Sequence, residues 1–333
     1  MIEVIIGVVK LLVLVAVLSV YVMYATWYER KVIGHMQQRI GPKRVGPYGL
    51  LQPLADTIKS FFKEDIVPTR ADKPLFWLAP ILAPTFPFAA AAAIPFFPPI
   101  ELSNGTTFYF SVFHSNVDLL YILAMMGLSS FGVMLAGIAS GGNKYSYIGA
   151  QREIAQVVSY EIILALALLN PILMVQSLNL TDFVTFQQQH LWLVFYQPFA
   201  FVAFVIAMVA SASRVPFDLP EAENELVAGF NTEFSGLKMA MFFFGQYVTI
   251  FVVSALAAII FLGGWSGPAI LPGFIWYWLK VLLFIFMFTW FWGTFPRYRY
   301  DQLMDIAWKK LLPLLVLNIL WTGFALIVHM PII

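Results

Sequence analysis

Residues 214–225 read Arg-Val-Pro-Phe-Asp-Leu-Pro-Glu-Ala-Glu-Asn-Glu, and they separate two long apolar runs near 193–213 and 239–262. With Glu233 and Lys238, the loop 214–238 carries five carboxylates and two basic groups in a chain that is only 11% charged. Apolar runs of about 20 residues match the thickness of a bilayer, whereas charge beside a membrane is costly. The pattern predicts two membrane spans joined by an acidic loop, which either has a function or is an ordinary solvated loop.

The composition of the 333-residue chain extends this interpretation to the whole protein. Hydrophobic residues make up 61% of the sequence and the mean hydropathy is +0.82, whereas a soluble domain is about half apolar. The chain has no cysteine, which excludes disulfides and thiolate ligands for iron–sulfur clusters or structural zinc. A net charge of +1 gives no reason to expect nucleic-acid binding.

We expect an all-α polytopic membrane protein with a single membrane domain and about eight transmembrane helices. Apolar stretches of sufficient length occur near 5–27, 75–98, 118–140, 154–176, 193–213, 239–262, 274–295 and 311–330. The first is too long for the apolar part of a signal peptide, so we interpret it as a retained span. The second is expected to be interrupted or kinked by Pro80, Pro84, Pro87 and Pro95.

The basic residues predict the orientation of these spans. Of the 19 Lys and Arg residues, 17 lie in the four loops that follow spans 1, 3, 5 and 7. Lys and Arg concentrate in cytoplasmic loops, so these loops are predicted to be cytoplasmic and both termini to lie outside. Lys280, beside Trp276 and Trp278, is expected to extend into an outer aromatic belt.

A helix near 50–64 is predicted on the membrane surface. Its apolar residues recur at helical spacing, at Leu50, Leu51, Leu54, Ile58, Phe61 and Phe62. The segment is too short and too polar to cross a bilayer, so it should lie in the membrane interface.

Carboxylates are the strongest candidates for chemistry. Glu161 lies about seven residues inside the fourth span, and an ionisable group at such depth usually has a function. Glu221 and Glu225 would share a face if the segment after Pro220 were helical. Together with Glu153 and Glu161, they could form a chain of acids that runs from the surface into the membrane.

Other kinds of site find little support. The four histidines are scattered, at His35, His114, His190 and His329, so a metal or haem site is not expected. A phosphate-binding glycine loop and a nucleophile constellation are also missing from the sequence, which argues against a self-contained enzyme.

Four long motifs identify a family. Their sequences are Glu29-Arg-Lys-Val-Ile-Gly-His-Met-Gln-Gln-Arg39-Ile-Gly-Pro with Val45-Gly-Pro-Tyr-Gly-Leu-Leu-Gln-Pro-Leu-Ala-Asp56, Arg152 with Ala155-Gln-Val-Val-Ser-Tyr-Glu161, Pro216-Phe-Asp-Leu-Pro-Glu-Ala-Glu-Asn-Glu-Leu-Val-Ala-Gly-Phe230 with Thr232-Glu233, and Pro296-Arg-Tyr-Arg-Tyr-Asp301-Gln-Leu. In this order, and over nearly the whole chain, they resemble the H-subunit / ND1 family of respiratory complex I, the proton-pumping NADH:quinone oxidoreductase. One departure is Glu153, where members of the family usually carry a small residue.

The resemblance implies a subunit without a redox centre of its own, placed where the electron-transfer arm of complex I meets the membrane arm. Span 1, the surface helix and span 6 would line a passage that admits quinone towards an iron–sulfur cluster in a neighbouring subunit. Other expected partners are small membrane subunits and lipids, in a bacterial plasma (inner) membrane. The passage residues would be Arg30, Arg39 and Asp56, the proton-coupling residues Glu161, Asp218, Glu221, Glu223, Glu225 and Glu233, and the subunit-contact residues Arg297, Arg299 and Asp301.

Two alternatives stay open at this stage. A membrane subunit of an energy-converting hydrogenase or a ferredoxin-linked complex would share this scaffold, and neighbouring genes would distinguish it. A stand-alone ion transporter with an acidic translocation site should purify alone, whereas a complex I subunit should purify with iron–sulfur protein.

Overall fold

The computed structural model describes residues 2–101, 107–268 and 270–328, except for the side chains of residues 2–4, 101, 107 and 223. Within this part of the chain, seven helices are long and apolar enough to cross a membrane, and one shorter apolar helix accompanies them. The predicted all-helical membrane fold is confirmed. The eight helices are α1 (Ile2–Met36), α3 (Lys73–Ala92), α4 (Asp118–Ala139), α5 (Lys144–Val175), α8 (Pro198–Ser211), α10 (Gly236–Leu262), α11 (Gly273–Thr294) and α13 (Leu312–Ile327).

Short elements connect them. The connecting helices are α2 (Gln52–Phe62), α6 (Leu180–Gln189), α7 (Leu193–Tyr196), α9 (Glu223–Leu226) and α12 (Tyr300–Asp305). Two-residue strands, β1 (Ile100–Glu101) and β2 (Thr107–Phe108), pair antiparallel. A π-helical turn, Ile306–Leu311, leads into α13. The last predicted span, near 311–330, ends among residues that lie outside the described part of the chain.

Helix α10 lies at the centre of the bundle, because every residue from 247 to 261 is buried. A helix that is apolar on all sides is typical of such a position. It contacts α3, α8, α11, α1 and the surface helix α2. Helix α5 contacts α4, α8 and α13. Helices α4, α8 and α13 thus pack around α5, as α1, α3 and α11 pack around α10.

Helix α3 continues to Ala92 across Pro80, Pro84 and Pro87, so these prolines do not interrupt it, and it ends before Pro95. Neighbouring glycines allow close contact around it: a Cβ added at Gly132 of α4 or Gly245 of α10 would come within 2.7 or 2.8 Å of the Ala83 backbone. Small residues let membrane helices approach one another closely, and the neighbouring helices can hold a proline-containing helix in place.

The predicted span near 193–213 is interrupted. Gln197 has non-helical backbone angles between α7 and α8, and Pro198 can begin a helix because its missing N–H is not needed there. The break is held by side chains, since Gln197 donates to Thr322 at 2.9 Å and accepts from Asn318 at 2.9 Å. Polar side chains of neighbouring helices thus stabilise an irregular backbone within the bundle.

Lys280 of α11 does not extend into an aromatic belt, and that expectation is wrong. The side chain is 6% exposed, and its Nζ donates to the carbonyls of Leu262 at 2.5 Å, Gly264 at 2.9 Å and Ser266 at 2.6 Å. These carbonyls end α10 and begin the turn after it. A cation at a helix C-terminus satisfies acceptors that the helix itself cannot pair.

We expect Lys280→Met to destabilise the protein by several kcal/mol, because one buried and two partly buried carbonyls lose their donor and each unsatisfied group costs about 1–3 kcal/mol. The measurement is the temperature at which the membrane-bound assembly loses this subunit. Lys73→Met at an exposed lysine is the control and should leave that temperature unchanged. Equal stability of the two variants would contradict the capping role.

Four loops form one charged side of the bundle, consisting of 37–72, 140–143, 212–235 and 295–299. Contacts join them: Asp72 N–H donates to Ala139 O at 3.1 Å, Ile66 N–H to Ser235 Oγ at 3.3 Å, and Tyr298 N–H to Pro216 O at 3.1 Å. The acidic loop therefore faces the surface helix and the segment after α11.

Candidate functional site

A cavity of about 700 Å³ lies between α1, α2 and α10. Volumes of about 300–1,000 Å³ are typical of sites for small organic ligands. The walls are mainly apolar and include Val20 and Met23 of α1, Leu54 and Phe61 of α2, and Leu237 and Phe244 of α10. The cavity thus suits an elongated apolar molecule.

The polar end of this cavity consists of Glu29, Arg214, Tyr247 and Trp292. Glu29 accepts a hydrogen bond of 2.8 Å from the Tyr247 hydroxyl, and Arg214 NH1 lies 3.9 Å from the same carboxylate. The guanidinium carbon lies 4.6 Å from the ring centre of Tyr247 and 5.1 Å from that of Trp292. Arg214 is therefore held by one carboxylate and two aromatic faces.

Arg214 has unused hydrogen-bonding capacity. Its side chain is buried, and its Nε and NH2 atoms have no partner among the described residues. Burial favours a lower pKa, but Glu29, Tyr247 and Glu221 together outweigh burial and raise the pKa of Arg214 above its usual range. A charged guanidinium with unpaired N–H groups thus lies at the end of the cavity, and a ligand oxygen that reaches it can accept a hydrogen bond.

At the mouth of the cavity, Arg30 of α1 and Asp56 of α2 form an ion pair of 2.6 Å. Gln52 also donates to Asp56, at 2.9 Å. Arg39 does not line this cavity. It lines an adjoining cavity of about 450 Å³, which shares Glu29, Arg30 and Trp292 with the first.

Two carboxylates of the acidic loop point into the protein. Asp218 accepts from Arg297 at 2.8 Å, and Glu221 Oε1 accepts from Asn231 at 3.0 Å and Gln246 at 3.1 Å. Burial raises the pKa of both carboxyls. For Glu221 the pKa rises to about 8, with Asp218 adding to the rise and Arg214 opposing it.

Of the other loop acids, Glu225 is exposed and Glu233 is half-buried. Glu225 forms an ion pair of 2.5 Å with Arg152, and Glu233 accepts from Asn143 at 2.6 Å. The side chain of Glu223 lies outside the described set. Both contacts tie the loop to the residues that begin α5, and they leave the loop interior to Asp218 and Glu221.

Two further carboxylates come from α5. Glu153 is 5% exposed and accepts from Ser213 Oγ at 3.0 Å. Glu161 lies against α4, where a Cβ added at Gly127 would be 3.0 Å from its Oε2. The two acids are eight residues apart on one helix, or about 12 Å along its axis, so they do not bond directly.

A family model described as NADH dehydrogenase matches residues 9–323. The chain belongs to this family. It is 48% identical over 316 residues to the H 2 subunit of NADH-quinone oxidoreductase from Rhizobium meliloti (strain 1021), with 94% of this chain and 95% of that protein covered. It is 47% identical to the H 1 subunit from Geobacter sulfurreducens, covering 94% and 93%, and 48% identical to the H subunit from Thermomicrobium roseum, covering 93% of each.

For this NADH dehydrogenase family member, the structure brings together some of the residues predicted from sequence and separates others. Arg30 and Asp56 meet at the cavity mouth. Glu221 and Glu225 do not share a helical face, because α9 begins only at Glu223 and Ala222 has non-helical backbone angles. The loop acids with described side chains therefore divide into an inner pair, Asp218 and Glu221, and two that contact α5 and its N-cap, Glu225 and Glu233, and they do not form one row.

The three residues predicted as a subunit-contact surface also separate. Arg297 lies beneath the acidic loop and pairs with Asp218. Arg299 and Asp301 form an ion pair of 2.6 Å whose side chains are 74% and 60% exposed. The last two remain available for a contact, whereas Arg297 belongs to the inner acidic site.

Sequence reasoning assigned no role to Glu29, Arg214, Tyr247 or Trp292. Glu29 begins the first family motif and Arg214 begins the acidic loop, so their charge next to an apolar run was a usable signal. Tyr247 and Trp292 are two among many aromatic residues within apolar helices, and nothing in the sequence distinguishes them.

Metal binding has no structural support in the described ranges. No group of three or more His, Cys, Asp or Glu residues there is arranged to hold a metal ion.

Proposed function

We propose that this membrane subunit of an NADH-quinone oxidoreductase admits a quinone from the bilayer into the cavity between α1, α2 and α10, and that its acidic loop couples quinone reduction to proton translocation. The electrons would come from an iron–sulfur protein of a neighbouring subunit. The chain itself would hold no redox centre, and its charged side would face the cytoplasm of a bacterial cell.

The observation that carries the proposal is the position of Arg214. Its guanidinium lies 3.9 Å from Glu29 at the polar end of the apolar cavity, and its charge opposes the rise that burial causes in the pKa of Asp218 and Glu221. One buried cation thus interacts with both the cavity and the inner acids. A change of charge in the cavity would therefore change the proton affinity of the loop.

Reduction supplies such a change. A quinone that takes up two electrons must also take up two protons to become quinol, so negative charge develops on its oxygens before protonation. The free N–H groups of Arg214 can donate to these oxygens. As the guanidinium becomes engaged by the new negative charge, it stabilises the ionised forms of Asp218 and Glu221 less, and the proton affinity of both carboxyl groups rises.

The passage itself is tested by narrowing it. Ala240 of α10 lines the cavity, and Ala240→Phe would fill space that the quinone must occupy. In the assembled complex we expect KM for quinone to rise about tenfold or more, the equivalent of about 1.4 kcal/mol of lost binding. Electron transfer from NADH to a water-soluble acceptor should keep its wild-type rate.

The matched control is Val13→Phe, a substitution at an exposed position of α1 outside the cavity lining. It should leave the kinetics with quinone unchanged. If Ala240→Phe also behaved as wild type with a long-tailed quinone, quinone entry between α1, α2 and α10 would be refuted.

A further inference from the structure

A small second cavity, of about 40 Å³, lies beneath the acidic loop between α3, α4, α5 and α10. A water molecule needs about 10–15 Å³ of such volume, so the cavity has room for about two or three. Its polar lining consists of Ser129, Ser130, Glu153, Ser211, Ser213, Gln246 and Thr249.

Gln246 indicates that this cavity holds water. It lines the cavity, and its buried Oε1 atom has no hydrogen-bond partner among the described residues. A buried acceptor normally has a partner, and a polar cavity of this size can provide one as water. The Thr249 side chain, which is 6% exposed, borders the same cavity.

The cavity lies between two proposed coupling acids. On one side, Gln246 lines it and donates to Glu221 at 3.1 Å. On the other side, Ser130 lies one turn from Gly127 of α4, the residue against which the Glu161 carboxylate rests. Residues three apart lie on the same face of a helix, so the Ser130 side of the cavity is on the face of α4 against which Glu161 rests.

Glu153 is the titratable group among these lining residues. We propose that Glu153, with water in this cavity, transfers protons between Glu221 and Glu161. The inference rests on the proposed coupling function and assigns it an additional residue. In each step a carboxyl group releases its proton to a water molecule while that water passes one on to the next acceptor, so no redox partner is needed.

The test uses the intact complex reconstituted in vesicles. Glu153→Gln keeps the shape and the acceptor oxygen for Ser213 but cannot titrate. We expect proton translocation coupled to NADH oxidation to slow by on the order of 10²-fold, as for loss of a positioned proton-transfer group. Glu153→Asp should restore most of the rate, and Glu64→Gln at an exposed acid should match wild type.

Infrared difference spectra of quinone reduction give a readout that a structural role would not change. A carboxyl band should disappear in Glu153→Gln and return, shifted, in Glu153→Asp. If Glu153→Gln fails to assemble, Thr249→Val takes its place in the pumping measurement. This variant removes a hydroxyl that would hold the water, so coupled pumping should fall several-fold.

The outcomes separate the two proposals. Suppose that Glu161→Gln loses pumping. Normal pumping in Glu153→Gln would then overturn the role of Glu153, and if only Thr249→Val assembles, normal pumping in that variant would do the same. Normal pumping in Glu161→Gln and Glu221→Gln as well would overturn the coupling function itself.

Discussion

Complexes carrying Glu221→Gln are expected to assemble normally and to lose coupled proton translocation by on the order of 10²-fold. Assembly should persist because Gln keeps the Oε1 acceptor for Asn231 and Gln246. The variant loses only the ability of the residue 221 side chain to take up and release a proton. The measurement is the ratio of protons translocated to NADH oxidised in sealed vesicles, together with the amount of assembled complex.

The pH dependence of the same variant tests the assignment of the group. Burial raises the pKa of Glu221 from 4.5 to about 8, with Asp218 and Glu153 adding to the rise and Arg214 and Gln246 opposing it. The folded protein therefore keeps this proton at pH 7, whereas the unfolded chain releases it. The stability contributed by Glu221 is thus greatest below about pH 4.5 and decreases as pH rises towards about 8.

Wild-type coupling should decline as pH rises through about 8, because Glu221 becomes ionised and has no proton to deliver. Glu221→Gln should lack this component, and Glu233→Gln at the outer end of the loop should retain it. If coupling in the wild type and in Glu221→Gln depended on pH in the same way, the decline near pH 8 would belong to a different group.

Most of the architecture was predictable from hydropathy, because long apolar runs have few alternatives to membrane helices. The deviations have local causes. Helix α1 continues to Met36 beyond the predicted end at Trp27, since nothing in Glu-Arg-Lys interrupts a helix once it leaves the apolar layer. The break at Gln197 depends on Asn318 and Thr322, which are 121 and 125 residues away.

The acidic site was predictable as a set of residues but not as an arrangement. Sequence spacing cannot show that Asp218 and Glu221 turn inward while Glu225 turns outward, because their partners come from distant elements. Arg297 is 79 residues from Asp218, and Arg152 is 73 residues from Glu225. The same limit explains why Glu29 and Tyr247, 218 residues apart, could not be joined from the sequence.

Arg214→Met is expected to slow quinone reduction strongly. A hydrogen bond from a charged group contributes about 1.5–3 kcal/mol, so kcat/KM for quinone should fall by about tenfold to a hundredfold. The variant also leaves the Glu29 carboxylate buried without its cation, which costs about 3–5 kcal/mol of stability. Loss of activity alone would therefore not distinguish the two effects.

The double variant Arg214→Met with Glu29→Gln separates them. Gln at 29 removes the uncompensated charge and keeps an acceptor for the Tyr247 hydroxyl, so stability and assembly should recover. Quinone reduction should stay low, because no N–H donor of Arg214 then faces the cavity. If the double variant regained wild-type kcat/KM for quinone, Arg214 would serve only to neutralise Glu29, and the link between the cavity and the inner acids would be lost.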